Sequence, residues 1–181
     1  LERPSSTDAR VLCAVAGTYT SPDNRVEGAV VLDGKIVRNQ ALAWEALLVI
    51  EAGRPEIRWQ KQTPDRTVLA GIAARRATAL QGHLLVASGV TRPLLPSPAL
   101  RRPAIVTRSA EDFAIVESDQ PIELERFAED LVRLGAKQAM NLDMGRWSEG
   151  WYRRSNGTVA QLGDDFRATG RQTNWLVLLA R

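Results

Sequence analysis

The chain has 181 residues, 44% hydrophobic and 25% charged, the balance of one ordinary globular domain that buries roughly 70% of its unfolded surface. Its 24 basic and 21 acidic residues leave a net charge of +3, too even to mark a nucleic-acid protein. The single cysteine, Cys13, and single histidine, His83, exclude an intramolecular disulfide, a cysteine metal cluster and a multi-histidine zinc site.

No window reaches the ~18 uninterrupted apolar residues of a membrane helix. Residues 1–10 are polar and rich in Pro and Ser, and read as a flexible lead-in. Val11 to Val15 reads as a buried strand stopped by Gly17. From Gly28 to Val37 two short apolar runs flank Asp33-Gly34, a hairpin signal. Trp44 to Ile50, and the alternation Ile57, Trp59, predict two strands around a Gly53-Arg54-Pro55 turn. Helical spacing of Val68, Leu69, Ile72, Ala73 and Leu80 predicts a helix over about 67–80.

Leu84 to Val86 returns to strand, and four prolines between Pro93 and Pro103 exclude a helix or central strand there. A second hairpin joins Ile105 and Val106 to Phe113 through Val116. The clearest helix follows over about 121–134, with Pro121 in its first turn, Ile122, Phe127, Leu131 and Leu134 on one face, and Gly135 as its stop. Ala139, Met140 and Leu142 read as a strand, and Trp175 to Leu179 as a last, buried one. Trp44, Trp59 and Trp175 fall in strand patterns and are expected in the core. The elements predict a mixed α/β (α+β) fold: a strongly twisted mixed β-sheet with one principal helix (121–134) and a shorter one (67–80), in a single domain spanning 11–181.

The chemistry concentrates where the 139–142 strand ends. Asn141, Asp143, Gly145 and Arg146 are followed at once by Trp147, Trp151, Tyr152, Arg153 and Arg154. An amide, a carboxylate, guanidinium groups and three large aromatic rings within one short stretch point to a ligand that is both anionic and ring-containing. Asp143 reads either as a working carboxylate or as a turn-former bonded to its own backbone. Asn141 alternates with Met140 and Leu142, so its amide faces away from those apolar groups. Glu27 is a candidate second acid, and it suits a solvated turn equally. His83 is the one side chain that ordinarily titrates near neutrality, and more commonly such a residue is a structural hydrogen-bonding group.

The ordered set Ala16-Gly17-Thr18-Tyr19, Gly28, Asp33-Gly34-Lys35, Leu84-Leu85-Val86 to Gly89, Arg102-Pro103-Ala104-Ile105, Leu134-Gly135-Ala136 and Asn141-Leu142-Asp143-Met144-Gly145 resembles the phosphodiester glycosidase family, over nearly the whole of Val11 to Leu179. Thr173-Asn174-Trp175 and the Trp-Tyr-Arg string resemble a bacterial branch of it. The resemblance implies an α/β fold and hydrolysis of a glycosyl phosphodiester, a sugar-1-phosphate diester. No cofactor and no metal ligand set is assigned from the sequence, which leaves a metal requirement open.

Carried over residue by residue, it implies that Asp143, Arg102 and Asn141 are catalytic. Gly145, Arg146, Trp147, Trp151, Tyr152, Arg153, Tyr19, His83 and Glu27 are the substrate-binding candidates. The implied partner is a small molecule or glycan carrying a phosphodiester. The implied location is periplasmic or secreted, with the leader absent from this chain. Two departures stand out: the family's first asparagine is missing before Gly17, and Met144, Arg146 and Trp147 replace small residues that let a backbone approach a ligand closely. They leave an alternative open, a non-catalytic carbohydrate- or phosphate-binding domain on the same fold.

Overall fold

The computed structural model describes residues 4–60, 62–143, 148–163 and 172–180. Among them are fourteen strands and two helices, an α+β arrangement. The strands do not form one mixed sheet. They divide among three, and every ladder is antiparallel. One sheet has the order β13 (Val159–Leu162), β12 (Gly150–Arg153), β1 (Val11–Ala16), β14 (Trp175–Leu179). A second has β10 (Phe113–Glu117), β9 (Pro103–Thr107), β11 (Gln138–Asn141), β7 (Leu84–Ala87), β8 (Val90–Thr91). The third has β3 (Lys35–Arg38), β2 (Val30–Leu32), β6 (Thr78–Gly82), β4 (Ala46–Glu51), β5 (Arg54–Trp59).

A single apolar cluster joins all three. Val15 from the first sheet, Leu84, Ile105, Met140 and Leu142 from or beside the second, and Ala46, Leu48 and Ile57 from the third pack together out of water. Truncating a leucine buried this fully, Leu48 or Leu84, typically costs ~2–5 kcal/mol.

Both helices cover an outer sheet face. The first, α1 (Arg66–Ala74), starts at Asp65, whose carboxylate accepts the Val68 N–H at 2.9 Å. It sets Leu69 and Ile72 against Val31, Leu47 and Ala79. It ends well before the expected residue 80. Arg76 turns left-handed at φ 56°, and Thr78–Gly82 pairs with both β2 and β4. Leu80 fits an apolar helical stripe and a buried strand equally well, and two flanking strands outweigh one more helical turn.

The second helix, α2 (Leu124–Arg133), packs Leu124, Phe127, Ala128 and Leu131 on Leu85, Val86 and Val106. Pro121 and Ile122 precede it, since Ile122 bridges to Leu100. Leu134 is exposed, and Gly135 supplies the positive φ, 87°, that reverses the chain. Asp33-Gly34 forms the expected tight hairpin turn, and Ala52-Gly53 makes the next one, one residue earlier than the sequence pattern indicates. The terminal strand β14 is only half-covered, with Val177, Leu178 and Leu179 exposed, because it is the edge of its sheet. Trp59 is likewise exposed, under the Arg92 guanidinium at 4.7 Å.

Candidate active site

The site forms where three strand ends meet. β9 and β11 are antiparallel neighbours with Asn141 opposite Ala104, and Leu142 N–H donates to Pro103 O at 3.0 Å. Continuing that register by two residues sets Asp143 across from Arg102. Side chains directly opposite in an antiparallel pair share a face. Both are almost completely covered, each 1% exposed, and both line one cleft of roughly 350 Å³ together with Tyr19, Thr20, Glu27 and Leu100.

The third strand end is that of β1, which delivers Gly17 to Thr20. Asp143 N–H donates to Gly17 O at 2.8 Å, and the Asp143 carboxylate accepts Thr20 N–H at 3.0 Å. These bonds hold the carboxylate in one orientation, so Asp143 is not a turn residue bonded only to its own neighbours. Asn141 faces the same loop. Its amide nitrogen donates to the Tyr19 hydroxyl and, at 2.8 Å, to Leu142 O.

Arg102 has a double engagement. Its Nε donates to Ile122 O at 3.1 Å, and Nη2 donates to Ser97 Oγ at 3.1 Å and to Pro98 O. The guanidinium therefore also pins the proline-rich loop against the start of α2, where Ser97 Oγ accepts Leu124 N–H at 3.0 Å. Burial pulls its proton affinity down while the neighbouring Tyr19 acts in the opposite direction. Of the two adjacent arginines, Arg102 enters the cleft and Arg101 lies 3.9 Å from the Glu117 carboxylate.

The loop after β1 is fixed by an amide distant in sequence. Asn174 Oδ1 accepts Thr18 N–H at 2.7 Å, its Nδ2 donates to Thr18 O at 2.8 Å, and Asn174 O accepts Gly17 N–H at 3.2 Å. The sequence lacks an asparagine before Gly17, and an amide from the far end of the chain lies against that glycine. Gly28, at φ 77°, passes under the Trp44 ring and the Gln81 side chain, which brings Glu27 to the cleft.

Tyr19, Trp44 and His83 form a ring cluster behind the cleft, with centroids 4.9 Å apart for Tyr19–Trp44, 5.6 Å for Tyr19–His83 and 4.9 Å for Trp44–His83. His83 is thus a packing partner of Tyr19 and does not line the cleft. Burial pushes its imidazole below the ordinary value, so the neutral form is the one that fits. An unfolded imidazole takes up its proton first as pH falls. His83 therefore contributes stability that is present above about pH 6.5 and lost as pH drops through its depressed folded value. The thermal midpoint is expected to decline from pH 6.5 toward 5, with a shallower decline in His83→Phe; identical slopes would contradict it.

The aromatic and basic string splits. Trp151 is 1% exposed, packed with Val11 and Ala14, and its indole N–H donates to Pro4 O at 3.2 Å. Arg153 bonds Ser6 O at 2.8 Å and Asp8 O at 3.3 Å, and so ties residues 4–10 onto β12. Tyr152 points to the opposite, exposed face of β12. None of the three lines the cleft, contrary to the expectation from residue type. Alternation along β12 decides where their rings go. Gly145, Arg146 and Trp147 lie outside the described residues. Trp44, expected in the core, belongs to the ring cluster, and Thr20 and Asn174 entered the site without a signal in residue type.

A family model described as phosphodiester glycosidase matches residues 9–175 of the chain. No match is found among curated proteins. Among solved structures, the zebrafish N-acetylglucosamine-1-phosphodiester alpha-N-acetylglucosaminidase catalytic domain, auto-inhibited by its pro-peptide, is similar with a TM-score of 0.74 at 17% identity, covering 99% of this chain and 68% of that one. A hypothetical protein from Synechocystis is similar with a TM-score of 0.54 at 14% identity, covering 86% of this chain and 49% of that one. At these identities the likeness is one of fold.

Proposed function

The chain belongs to the phosphodiester glycosidase family, and from that premise we propose that it is a hydrolase cleaving the sugar–oxygen bond of a glycosyl phosphodiester. The observation that carries the reading is the ladder register that sets Asp143 opposite Arg102 in one cleft, with Glu27 on its wall. Cleavage at the anomeric carbon builds positive charge on the sugar ring and releases a phosphomonoester. A fixed carboxylate beside the anomeric carbon stabilises that charge, and a guanidinium holds the departing phosphate.

Asp143, oriented by Thr20 N–H, fills the first role and Arg102 the second. Glu27 is the remaining carboxylate on the cleft and is positioned to take a proton from the attacking water. The bond between C1 and the phosphate oxygen breaks, water supplies the new C1 hydroxyl, and its second proton leaves through a carboxylate. An extracytoplasmic setting belongs to this same proposal. Incubation with a panel of sugar-1-phosphate diesters tests it. Release of free sugar from at least one member is the expected outcome, and binding without release across the panel would turn the reading into that of a carbohydrate- or phosphate-binding domain.

A further inference from the structure

The direction of one hydrogen bond in the cleft is fixed by its neighbour. Asn141 Nδ2 lies 2.8 Å from Leu142 O. A backbone carbonyl only accepts, so the amide group facing it is the NH₂ and not the oxygen. The same nitrogen contacts the Tyr19 hydroxyl. Its two hydrogens are then shared between Leu142 O and Tyr19 Oη, and Tyr19 Oη is the acceptor in that pair. The phenolic proton cannot point at Asn141. No hydrogen bond donated by the Tyr19 hydroxyl to a described residue is present.

The hydroxyl sits among the charges of the site. Burial, the largest influence, raises its proton affinity well above the ordinary tyrosine value; the Asn141 hydrogen bond and the Arg102 charge lower it, and Asp143 and Glu27 raise it. The phenol is therefore protonated throughout the neutral range. Its ring is held by Trp44 and His83, which leave the hydroxyl little freedom to swing away.

From this geometry we infer that Tyr19 is an obligate hydrogen-bond donor to the substrate, and that the group it takes is an anionic oxygen of the phosphate. The inference rests on the hydrolase reading above and adds a residue that selects the charged aglycone over a neutral one. A phosphate oxygen only accepts, so it matches the proton that the Tyr19 hydroxyl gives to no described residue. A sugar hydroxyl can turn its own donor to other partners and gains less from such a site. A neutral–charged hydrogen bond is stronger than a neutral pair, so its loss falls mainly on the phosphate.

Tyr19→Phe keeps the ring packing and removes the hydroxyl, both as donor to a ligand and as acceptor of one Asn141 N–H. The test is titration of a sugar-1-phosphate and of the corresponding free sugar into wild type and variant, followed by calorimetry, with the thermal midpoint of each recorded. The expected result is a Kd for the sugar-1-phosphate at least about 10-fold weaker in the variant, an affinity for the free sugar within about 2-fold, and a midpoint lowered only as far as the lost Asn141 bond requires. Equal affinity of both proteins for the sugar-1-phosphate would overturn the role of Tyr19 alone. Equal weakening toward both ligands would assign Tyr19 to general packing and also overturn it. Failure of wild type to bind the sugar-1-phosphate would overturn the inference together with the hydrolase reading beneath it.

Discussion

Asp143→Asn is expected to lower kcat by ~10²–10⁴-fold with little change in thermal midpoint. The substituted amide retains an oxygen to accept Thr20 N–H, now made at 3.0 Å, and the backbone bond to Gly17 O is untouched. The charge is lost together with one acceptor oxygen, and charge is what an anomeric centre developing positive character requires. KM is expected to move far less than kcat, since the interaction strengthens toward the transition state. Single-turnover measurements compare the two proteins directly. Unchanged turnover would remove Asp143 from the chemistry, and a collapsed midpoint would reduce it to a structural pin.

Gly17→Ala is expected to destabilise the protein by ~2–3 kcal/mol, a fall of roughly 4–12 °C in thermal midpoint for a chain of this size. A Cβ built at Gly17 lies 2.1 Å from Asn174 Oδ1, so Asn174 must move. Moving it breaks the pair of bonds that its side chain makes to Thr18 N–H and Thr18 O. The loop so released carries Tyr19 and Thr20, and activity should fall along with stability.

Asn174→Ala alone already costs the two bonds. On that background the Gly17 substitution meets mainly Leu80 Cδ1 at 3.3 Å, and it should add less than ~1 kcal/mol. Denaturant melts of the four proteins in this cycle give the coupling. Strictly additive losses would show that Asn174 is not the residue that forbids a side chain at Gly17.

The parts of the fold visible in the sequence were those with local causes. Asp33-Gly34 made its hairpin because a left-handed pair there needs no help from elsewhere. The core face of the principal helix followed from the spacing of Phe127 and Leu131. Where a residue satisfied two patterns, as Leu80 did, only the presence of β2 and β4 on either side decided. The division into three antiparallel sheets was not readable, because partner choice among short strands depends on contacts far apart in sequence.

The candidate site divides in the same way. Arg102, Asn141 and Asp143 each sit at a strand boundary and were visible as such, with family resemblance choosing Arg102 over Arg101. What sequence could not supply was the register that sets Arg102 opposite Asp143, or the sideways bond from Asn141 to Tyr19. Trp151 and Arg153 misled because residue type says nothing of which face of β12 a ring or guanidinium occupies. Their actual partners are Val11, Ala14 and the 4–10 backbone. In the sequence Asn174 marks only a subgroup, and its place against Gly17 is a matter of topology, since β14 returns beside β1.

The central claim is that cleavage occurs between the anomeric carbon and the phosphate oxygen, and the fate of solvent oxygen tests it most directly. A sugar-1-phosphate diester that the protein hydrolyses is turned over in water enriched in oxygen-18, and the phosphomonoester product is followed by phosphorus NMR. Carbon–oxygen cleavage leaves the bridging oxygen on phosphorus, so a phosphomonoester signal without an isotope shift is the predicted result, absent in Asp143→Asn over the same time. A phosphomonoester signal shifted by one oxygen-18 would mean attack at phosphorus and contradict the account.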